Sequence, residues 1–339
     1  MPTIKDIAEE LNVSTSLVSK VLNNRLGTTM ARQETIEAIH DQARKMGYRR
    51  NLSATALRTG RQHAIGVFIH RLGQPGAGLV EAMIEGVTTE AQRSQHRLML
   101  HICEDAEEFR RLQKQLHVGM VDGLVIAGMR HRGLREAATA LREQGLSMVT
   151  VHEEALDPAI VNVGLSQVEI GRMATAHLIE RGCRRIAHVH QSTARHQGYQ
   201  QALAEAGLGY DPALVYAPPR ALAYTAEAGE QAVAHWLAES VGLDGLFADS
   251  DEQSMGALNE LLRRGVAVPE RVRLIGVDDA PYCRLAAVPL SSVCQRFRER
   301  GQEAVRMLLA RPGRGGRKAA QAEPAPELAP RLCVRASSA

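Results

Sequence analysis

Residues 3–25 read TIKDIAEELNVSTSLVSKVLNNR, and the spacing of their apolar residues predicts two short helices joined by a tight turn. Thr3 can cap a first helix whose apolar residues fall at positions 4, 7, 8 and 11. Ser14 can cap a second helix with an apolar face at positions 17, 18, 21 and 22. The pattern is typical of a helix-turn-helix motif, which places its second helix in the major groove of DNA.

A third apolar series follows, and it predicts a helix that packs against the first two. Its members are Ile36, Ile39, Ala43 and Met46. Gly47 is predicted at the C′ position because glycine readily adopts the left-handed backbone conformation found there. The N-terminal region is therefore predicted to be a three-helix bundle.

Polar residues on the second helix are the candidates for contact with DNA. Four of them are not needed for packing: Thr15, Ser16, Ser19 and Lys20. Asn23, just after them, is a further candidate. Thr15 and Ser16 lie at the helix start, where such helices present side chains to base edges. Lys20 could reach a guanine edge or a phosphate. Spacing alone leaves open that the short polar residues only cap the helix. No aromatic residue precedes Tyr48, so duplex DNA is favoured over single strands that need stacking platforms.

Charge is unevenly distributed along the chain. The 339 residues carry a formal net charge of +3, with 23% charged and 45% hydrophobic residues. Residues 1–61 hold ten Lys/Arg and six Asp/Glu, which gives +4 and leaves −1 for the rest. A positive head on a nearly neutral body is typical of a nucleic-acid-binding module attached to another domain.

From residue 64 onward, short apolar strands alternate with helices, which predicts parallel sheets with right-handed crossovers. The predicted strands are Ala64–His70, Leu98–Cys103, Gly123–Ala127, Met148–Val151, Arg185–His190, Leu243–Ala248 and Leu274–Val277, with a last strand around Arg331–Val334. Ligands of open α/β sheets bind beyond the carboxyl ends of the strands, so residues just after each strand are candidates.

Several classes of protein are not expected. No apolar run approaches the ~20 residues that span a bilayer, and the N-terminus does not resemble a secretion signal, so we expect no membrane association and a cytoplasmic location. The sequence lacks GxxxxGK[ST], GxGxxG and GxSxG, and we expect neither an enzyme nor a cofactor. His188 and His190 share one face of a predicted strand, but no third ligand is apparent and no metal site is predicted.

Ordered motifs along nearly the whole chain closely resemble the LacI/GalR family of bacterial transcription regulators. In the N-terminal region they are the stretch quoted first, TIEAIHDQARKMGYRRN at 35–51 and ALRTGRQHAIGVF at 56–68. In the body they are VDGLVIAG at 121–128, TARHQGYQQALAEAGL at 193–208, ADSDEQSMGAL at 248–258 and RLIGVDDAP at 273–281.

The resemblance implies an α/β protein with a head, a hinge and a two-lobed body. The head is a helix-turn-helix domain over residues 1–49, and residues 50–61 form a hinge helix and linker. Residues 62–339 form a doubly wound, parallel-sheet body similar to the type I periplasmic binding proteins. We expect its first lobe at about 62–162 and 292–322, and its second lobe at about 163–291 and 323–339.

The function implied is that of a ligand-responsive transcriptional repressor. It would bind a palindromic operator in double-stranded DNA as a homodimer, and a small-molecule effector, a sugar or related polar metabolite, would bind between the lobes and control the affinity. The direction of the effector's influence is left open. Two alternatives are a binding protein that only captures a ligand and an enzyme on the same fold.

The same resemblance assigns roles to individual residues. Leu57, in the hinge, matches a leucine wedged into the minor groove of the operator, although by itself it could be the apolar face of a linker helix. Arg195 and Asp278 match effector ligands, with a surface ion pair as the alternative for the arginine. The other matching pocket positions are Tyr224, Ser250, His152, Gln295 and Phe297.

Departures from the family pattern affect the expected ligand. Residues 70–78 lack the aromatic pair that often follows the proline there. His152 stands where an Asp is common, and Ser250 where an Asn is common. A smaller or more anionic effector than a plain pyranose is therefore a hypothesis.

Overall fold

The computed structural model describes residues 2–23, 26, 31–48, 62–73, 76–103, 107–109, 111, 120–128, 132–310 and 328–339. The chain divides into two compact units, Met1–Gln62 and His63–Ala339, which are treated separately below. Within the described residues, no helix has the length and apolar character needed to cross a membrane.

The first unit contains the three predicted helices. They are α1 (Ile4–Glu10), α2 (Thr15–Leu22) and α3 (Gln33–Lys45). Thr3 and Asp6 form a reciprocal capping box at the start of α1, and Ser14 Oγ accepts a hydrogen bond from the Leu17 amide at 3.1 Å. Gly47, with φ of 64°, follows the end of α3 as predicted. The three helices pack around a small core of Ile7, Ala8, Val18, Val21, Ile39 and Ala43.

The second unit is built on two sheets. The first is fully parallel, with the order β2-β1-β3-β4-β5, from strands β1 (Ala64–His70), β2 (Arg97–Cys103), β3 (Gly123–Gly128), β4 (Met148–Val151) and β5 (Val161–Asn162). The second has the order β11-β10-β9-β8-β6-β7, from β6 (Ile186–Val189), β7 (Val215–Tyr216), β8 (Gly245–Ala248), β9 (Arg273–Val277), β10 (Ser291–Cys294) and β11 (Arg331–Cys333). Only β11 runs antiparallel to its neighbour among the described strands.

Helices connect and cover the sheets of this unit. They are α4 (Leu79–Arg93), α5 (Arg132–Glu143), α6 (Gln167–Glu180), α7 (Thr193–Glu205), α8 (Ala226–Ala238), α9 (Asp251–Arg263) and α10 (Phe297–Ala310). Strands β1, β3 and β4 of the first sheet are buried and almost entirely apolar, because parallel strands covered on both faces have no solvated side. The parallel sheets expected from the sequence are thereby confirmed.

Three of the described strands were not predicted from the sequence. The strands at 161–162 and 215–216 are only two residues long, too short to produce a hydrophobic pattern. Strand β10 reads SSVC, and its two serines are buried by pairing and hydrogen bonding instead of by apolar character. The sequence pattern therefore fails where a strand is very short or polar.

The chain passes between the two sheets three times. Helix α10 packs against α4 and the first sheet, whereas β10, just before it, belongs to the second sheet. The second passage therefore lies just after Cys294, within a few residues of the approximate boundary at 291 that the family resemblance implied.

A buried arginine, Arg300, forms hydrogen bonds with all three segments that pass between the sheets. Arg300 is 1% exposed, and its Nε donates to the Gln295 carbonyl at 2.8 Å. Its two terminal nitrogens donate to the carbonyls of Gly164 and Leu328. One guanidinium thus holds the backbone of all three segments that connect the lobes.

Helices α6 and α7 approach each other through glycines. A Cβ added to Gly198 would lie 1.9 Å from the Val168 carbonyl oxygen, and one added to Gly171 would lie 2.0 Å from the Arg195 carbonyl oxygen. Both distances are far inside van der Waals contact. The close contact fixes the position of α7 and of the residues in its first turn.

Candidate functional site

In the first unit, helix α2 presents polar side chains to solvent. Thr15, Ser16 and Lys20 are exposed, Ser19 is partly buried, and the apolar residues Val18 and Val21 turn inward. Because Ser14 supplies the N-cap, Thr15 and Ser16 are not required to cap this helix. The capping alternative left open by the sequence therefore does not account for these two residues.

Asn23 differs from the other candidates. Its Nδ2 donates to the Ser19 carbonyl at 2.5 Å, so the side chain closes the end of α2. A contact between this amide and DNA would require that hydrogen bond to break. Leu57, the candidate minor-groove residue, lies outside the described residues.

In the second unit, a cavity of about 990 Å³ opens between the two sheets at the carboxyl ends of their strands. All seven residues predicted to bind an effector line this cavity: His152, Arg195, Tyr224, Ser250, Asp278, Gln295 and Phe297. They come from six separate parts of the sequence, because Gln295 and Phe297 are only two residues apart. The parallel topology brings them together, because each follows a strand, lies in a connecting segment or lies in the first turn of a helix.

A chain of polar contacts runs along one side of the cavity. Arg195 Nε donates to Gln167 Oε1 at 2.6 Å, and Gln167 Nε2 donates to Gln295 Oε1 at 3.4 Å. Gln295 Nε2 in turn donates to Asp278 Oδ1. The sequence interpretation missed Gln167, which joins the two predicted ligands through Gln295.

Asp278 is held in an unusual environment. It follows β9 with φ of 120°, a backbone conformation that residues other than glycine rarely adopt. Burial raises its pKa to about 8, although the nearby Arg195 opposes the shift. The carboxyl group can therefore act as a hydrogen-bond donor or acceptor near neutral pH.

Asp249 is a second residue that the sequence interpretation missed. Its carboxylate accepts hydrogen bonds from the backbone amides of Gln191 and Ser192, at 2.6 and 2.5 Å, and its backbone carbonyl accepts one from Arg195. These bonds fix the loop before α7 and the direction of the arginine. The position of Asp249, directly after strand β8, is the signal that could have identified it.

The remaining predicted residues are partly engaged with the protein. Ser250 Oγ caps α9 by accepting from the Gln253 amide at 3.2 Å, and it donates to the Tyr224 carbonyl at 3.3 Å. His152 Nδ1 donates to the Gly128 carbonyl at 2.7 Å, which leaves Nε2 as the acceptor nitrogen of the neutral ring. Phe297 and Tyr224 are the only Phe, Tyr or Trp side chains among the described residues of the lining.

The charge of the lining favours an uncharged ligand. Five carboxyl groups and two guanidinium groups line the cavity: Glu81, Glu153, Asp249, Glu252 and Asp278, with Arg71 and Arg195. Because the raised pKa of Asp278 keeps its carboxyl group protonated near neutral pH, four carboxyl groups remain as the acidic charges against the two guanidinium groups. This excess of acidic groups would repel an anion. It counts against the anionic effector that the sequence departures suggested, and it suits a ligand rich in hydroxyl groups.

Comparisons with known proteins agree with both parts of this description. The model for bacterial regulatory proteins of the lacI family matches residues 3–51, and the model for the periplasmic binding protein-like domain matches residues 175–338. The chain belongs to the lacI family of bacterial regulatory proteins. Its family resemblance and its fold class, predicted from the sequence, are therefore confirmed.

Relatives of this lacI-family chain are regulators. The HTH-type transcriptional regulator GntR of Pseudomonas aeruginosa is 28% identical over 317 residues, which cover 91% of this chain and 89% of that protein. The solved transcriptional regulator CelR-cellobiose complex is 26% identical, with a TM-score of 0.68 over 99% of this chain and 100% of that one. A lac repressor dimer, solved with operator and the anti-inducer ONPF, shares the fold at 19% identity, with a TM-score of 0.78 over 99% of each chain.

The lacI-family chain is a DNA-binding transcriptional regulator and not an enzyme, as the sequence predicted. The assignments of individual residues to DNA contact and to effector contact stay predictions. The exposed side chains of α2 and the residues that line the cavity are the ones to which these predictions apply.

Proposed function

We propose that this regulator represses transcription by binding a palindromic operator as a homodimer in the cytoplasm, and that an uncharged sugar or sugar derivative in the cavity controls its affinity for DNA. One observation carries the effector assignment. Seven residues that are scattered from position 152 to position 297 line one cavity, and a continuous set of hydrogen bonds joins three of them through Gln167.

Helix α2 would read the operator. Thr15 and Ser16 at its exposed start would face base edges, and Lys20, one turn further, would contact a guanine edge. Two heads that read half-sites on one side of the duplex need two-fold symmetry, so the operator would be an approximate palindrome. The lac repressor, a dimer in its operator complex, offers a precedent on the same fold.

The effector would bind between the two sheets and bridge the lobes. Arg195 comes from the second lobe and offers a planar set of donors that suits paired hydroxyl oxygens, while Asp278 would contact a further hydroxyl. Such a ligand shifts the lobe arrangement only by binding one arrangement more tightly than the other. CelR, whose structure holds cellobiose, supports the choice of a sugar.

The DNA assignment is tested by selecting duplexes from a random library and measuring affinity for the enriched sequence against a scrambled one. We expect a palindromic sequence and binding that weakens as salt rises. Lys20→Ala should cost about 1–3 kcal/mol on the selected sequence and much less on the scrambled one. Lys45→Ala, exposed on α3, serves as the control and should not change the preference between sequences. An equal loss on both sequences would assign Lys20 to the phosphate backbone, and salt-independent binding to every duplex would overturn the DNA assignment.

The effector assignment is tested by calorimetry with a panel of neutral mono- and disaccharides, sugar acids and sugar phosphates. We expect binding of a neutral member, and a loss of about tenfold or more in Arg195→Lys because lysine lacks the planar fork. Arg263→Lys, on the exposed face of α9, is the matched control and should bind normally. Binding of anionic members alone would contradict the uncharged ligand, and unchanged binding by Arg195→Lys would remove this residue from the site.

A further inference from the structure

Three histidines cluster in the second lobe, outside the effector cavity. His188 lies on β6, His190 follows that strand, and His196 lies in the first turn of α7. One ring nitrogen of each lies within 4.8 Å of those of the other two. None of the three lines the effector cavity.

The first pair is already near ligand spacing. His188 Nδ1 and His196 Nδ1 are 3.0 Å apart, and their rings are stacked with centroids 5.2 Å apart. Two nitrogens bound to one tetrahedral zinc ion at 2.0–2.1 Å are separated by roughly 3.4 Å. Small ring movements would therefore let both nitrogens bind one ion.

The third ring contributes an unsatisfied nitrogen. His190 Nδ1 is buried and has no hydrogen-bond partner among the described residues. Its ring centroid is 4.4 Å from that of His196 and 5.5 Å from that of His188. A buried nitrogen with no partner loses its interaction with water, and a bound cation would restore a favourable contact.

Outer contacts of the kind that orient metal-binding histidines are also present. His188 Nε2 lies 3.2 Å from Asp249 Oδ1, and both side chains are fully buried. His196 Nε2 lies 3.4 Å from the Tyr210 hydroxyl. A histidine that binds a metal through one nitrogen usually donates from the other to a carboxylate or another acceptor, and His188 has that arrangement.

We propose that His188, His190 and His196 form a binding site for a divalent transition metal of the zinc class, with a fourth position open to water. Imidazole nitrogens suit Zn²⁺, Co²⁺, Ni²⁺ and Cu²⁺, and three histidines with an open position make an established coordination set. The site goes beyond the proposed effector function and does not depend on it.

The protonation of the rings permits this binding. With Nε2 of His188 donating to Asp249, the Nδ1 lone pair points toward His196 and can bind a metal directly. His196 Nδ1, which donates to it in the absence of metal, would carry its proton on Nε2 instead, with the Tyr210 oxygen as acceptor.

The experiment uses the full-length chain without a histidine tag, stripped with a chelator and kept reduced so that its cysteines stay free. Equilibrium dialysis against Zn²⁺ with elemental analysis should give one ion per chain, and Co²⁺ should produce the visible absorption of a nitrogen-coordinated site. X-ray absorption of the zinc-loaded protein should show three imidazole ligands. Zinc should also raise the melting temperature, because it binds the folded state.

Variants distinguish this site from other metal binding. His190→Ala and His196→Ala, both at partly exposed positions, should each weaken zinc binding by at least about tenfold and abolish the shift in melting temperature. His235→Ala, an exposed histidine on α8, is the matched control and should bind zinc normally. If either variant misfolds by circular dichroism, the corresponding Gln variant replaces it. Absence of zinc binding by the wild type, or undiminished binding by the cluster variants, would overturn the proposal.

Discussion

At the scale of single residues, Asp278 shows how the cavity changes an ordinary side chain. An aspartate in water loses its proton near pH 4. Burial in the cavity raises the pKa of Asp278 to about 8, and the neighbouring carboxyl of Asp251 contributes further. The native state therefore keeps a proton that the unfolded chain releases between these two pH values. The free energy of unfolding should consequently fall as pH rises across that range.

Asp278→Asn should remove this pH dependence. We expect the wild type to lose up to about 1.4 kcal/mol of unfolding free energy per pH unit from this group, and the variant to lose less. Urea unfolding at about pH 6.5 and pH 8 is the measurement, because Asp251, with a pKa of about 6, is then mostly ionised. Glu270→Gln, an exposed position, is the control and should retain the wild-type slope. Identical slopes for Asp278→Asn and the wild type would contradict the raised pKa.

At the scale of secondary-structure elements, the contact between α6 and α7 positions part of the site. Gly198 lies against the backbone of α6, and Arg195 lies one turn before it on the same helix. A side chain at position 198 would therefore push α7 away and displace the guanidinium that faces the cavity.

Gly198→Ala is accordingly expected to lower the free energy of unfolding by about 1–3 kcal/mol, the usual cost of overpacking. Gly209→Ala is a matched control, because a Cβ there meets no atom within 4 Å. The two variants would be compared by urea unfolding monitored by circular dichroism. If they were equally stable, α6 and α7 would have to separate at little cost, contrary to the observed packing.

At the scale of the whole effector-binding unit, Arg300 connects the segments that join the two lobes. Burial lowers its pKa to about 10, which still leaves the guanidinium charged at neutral pH. Its carbonyl partners, at positions 164, 295 and 328, lie far apart in the sequence. When one lobe moves relative to the other, these three hydrogen bonds must therefore either be kept or be broken.

Arg300→Met should leave three carbonyls without this donor and lower the free energy of unfolding by about 3 kcal/mol or more. Arg298→Met is the control on the same helix, because its exposed ion pair with Glu85, at 3.1 Å, should contribute less than about 1 kcal/mol. Urea unfolding of both variants is the measurement. Equal stability of Arg300→Met and the wild type would show that solvent replaces the guanidinium without cost.

The site was predictable from the sequence only in part. Arg195 and Asp278 follow or flank strands and lie in family motifs, so sequence reasoning could place them beside a cavity. Gln167 carries no such signal, because its importance comes from contact with residues 28 and 128 positions away. His196 was likewise missed as a third ring beside the histidines of β6, since it approaches them only after α7 folds back on the strand.

By itself, the sequence determined the helices of the head and most of the parallel strands, because caps and apolar periodicity act over a few neighbouring residues. Family motifs added the class of protein and the candidate ligands. Only the tertiary structure decided the charge around the cavity, the guanidinium shared by the three passages and the cluster of three histidines. These features depend on distances between residues that are remote in the chain, and local pattern does not encode such distances.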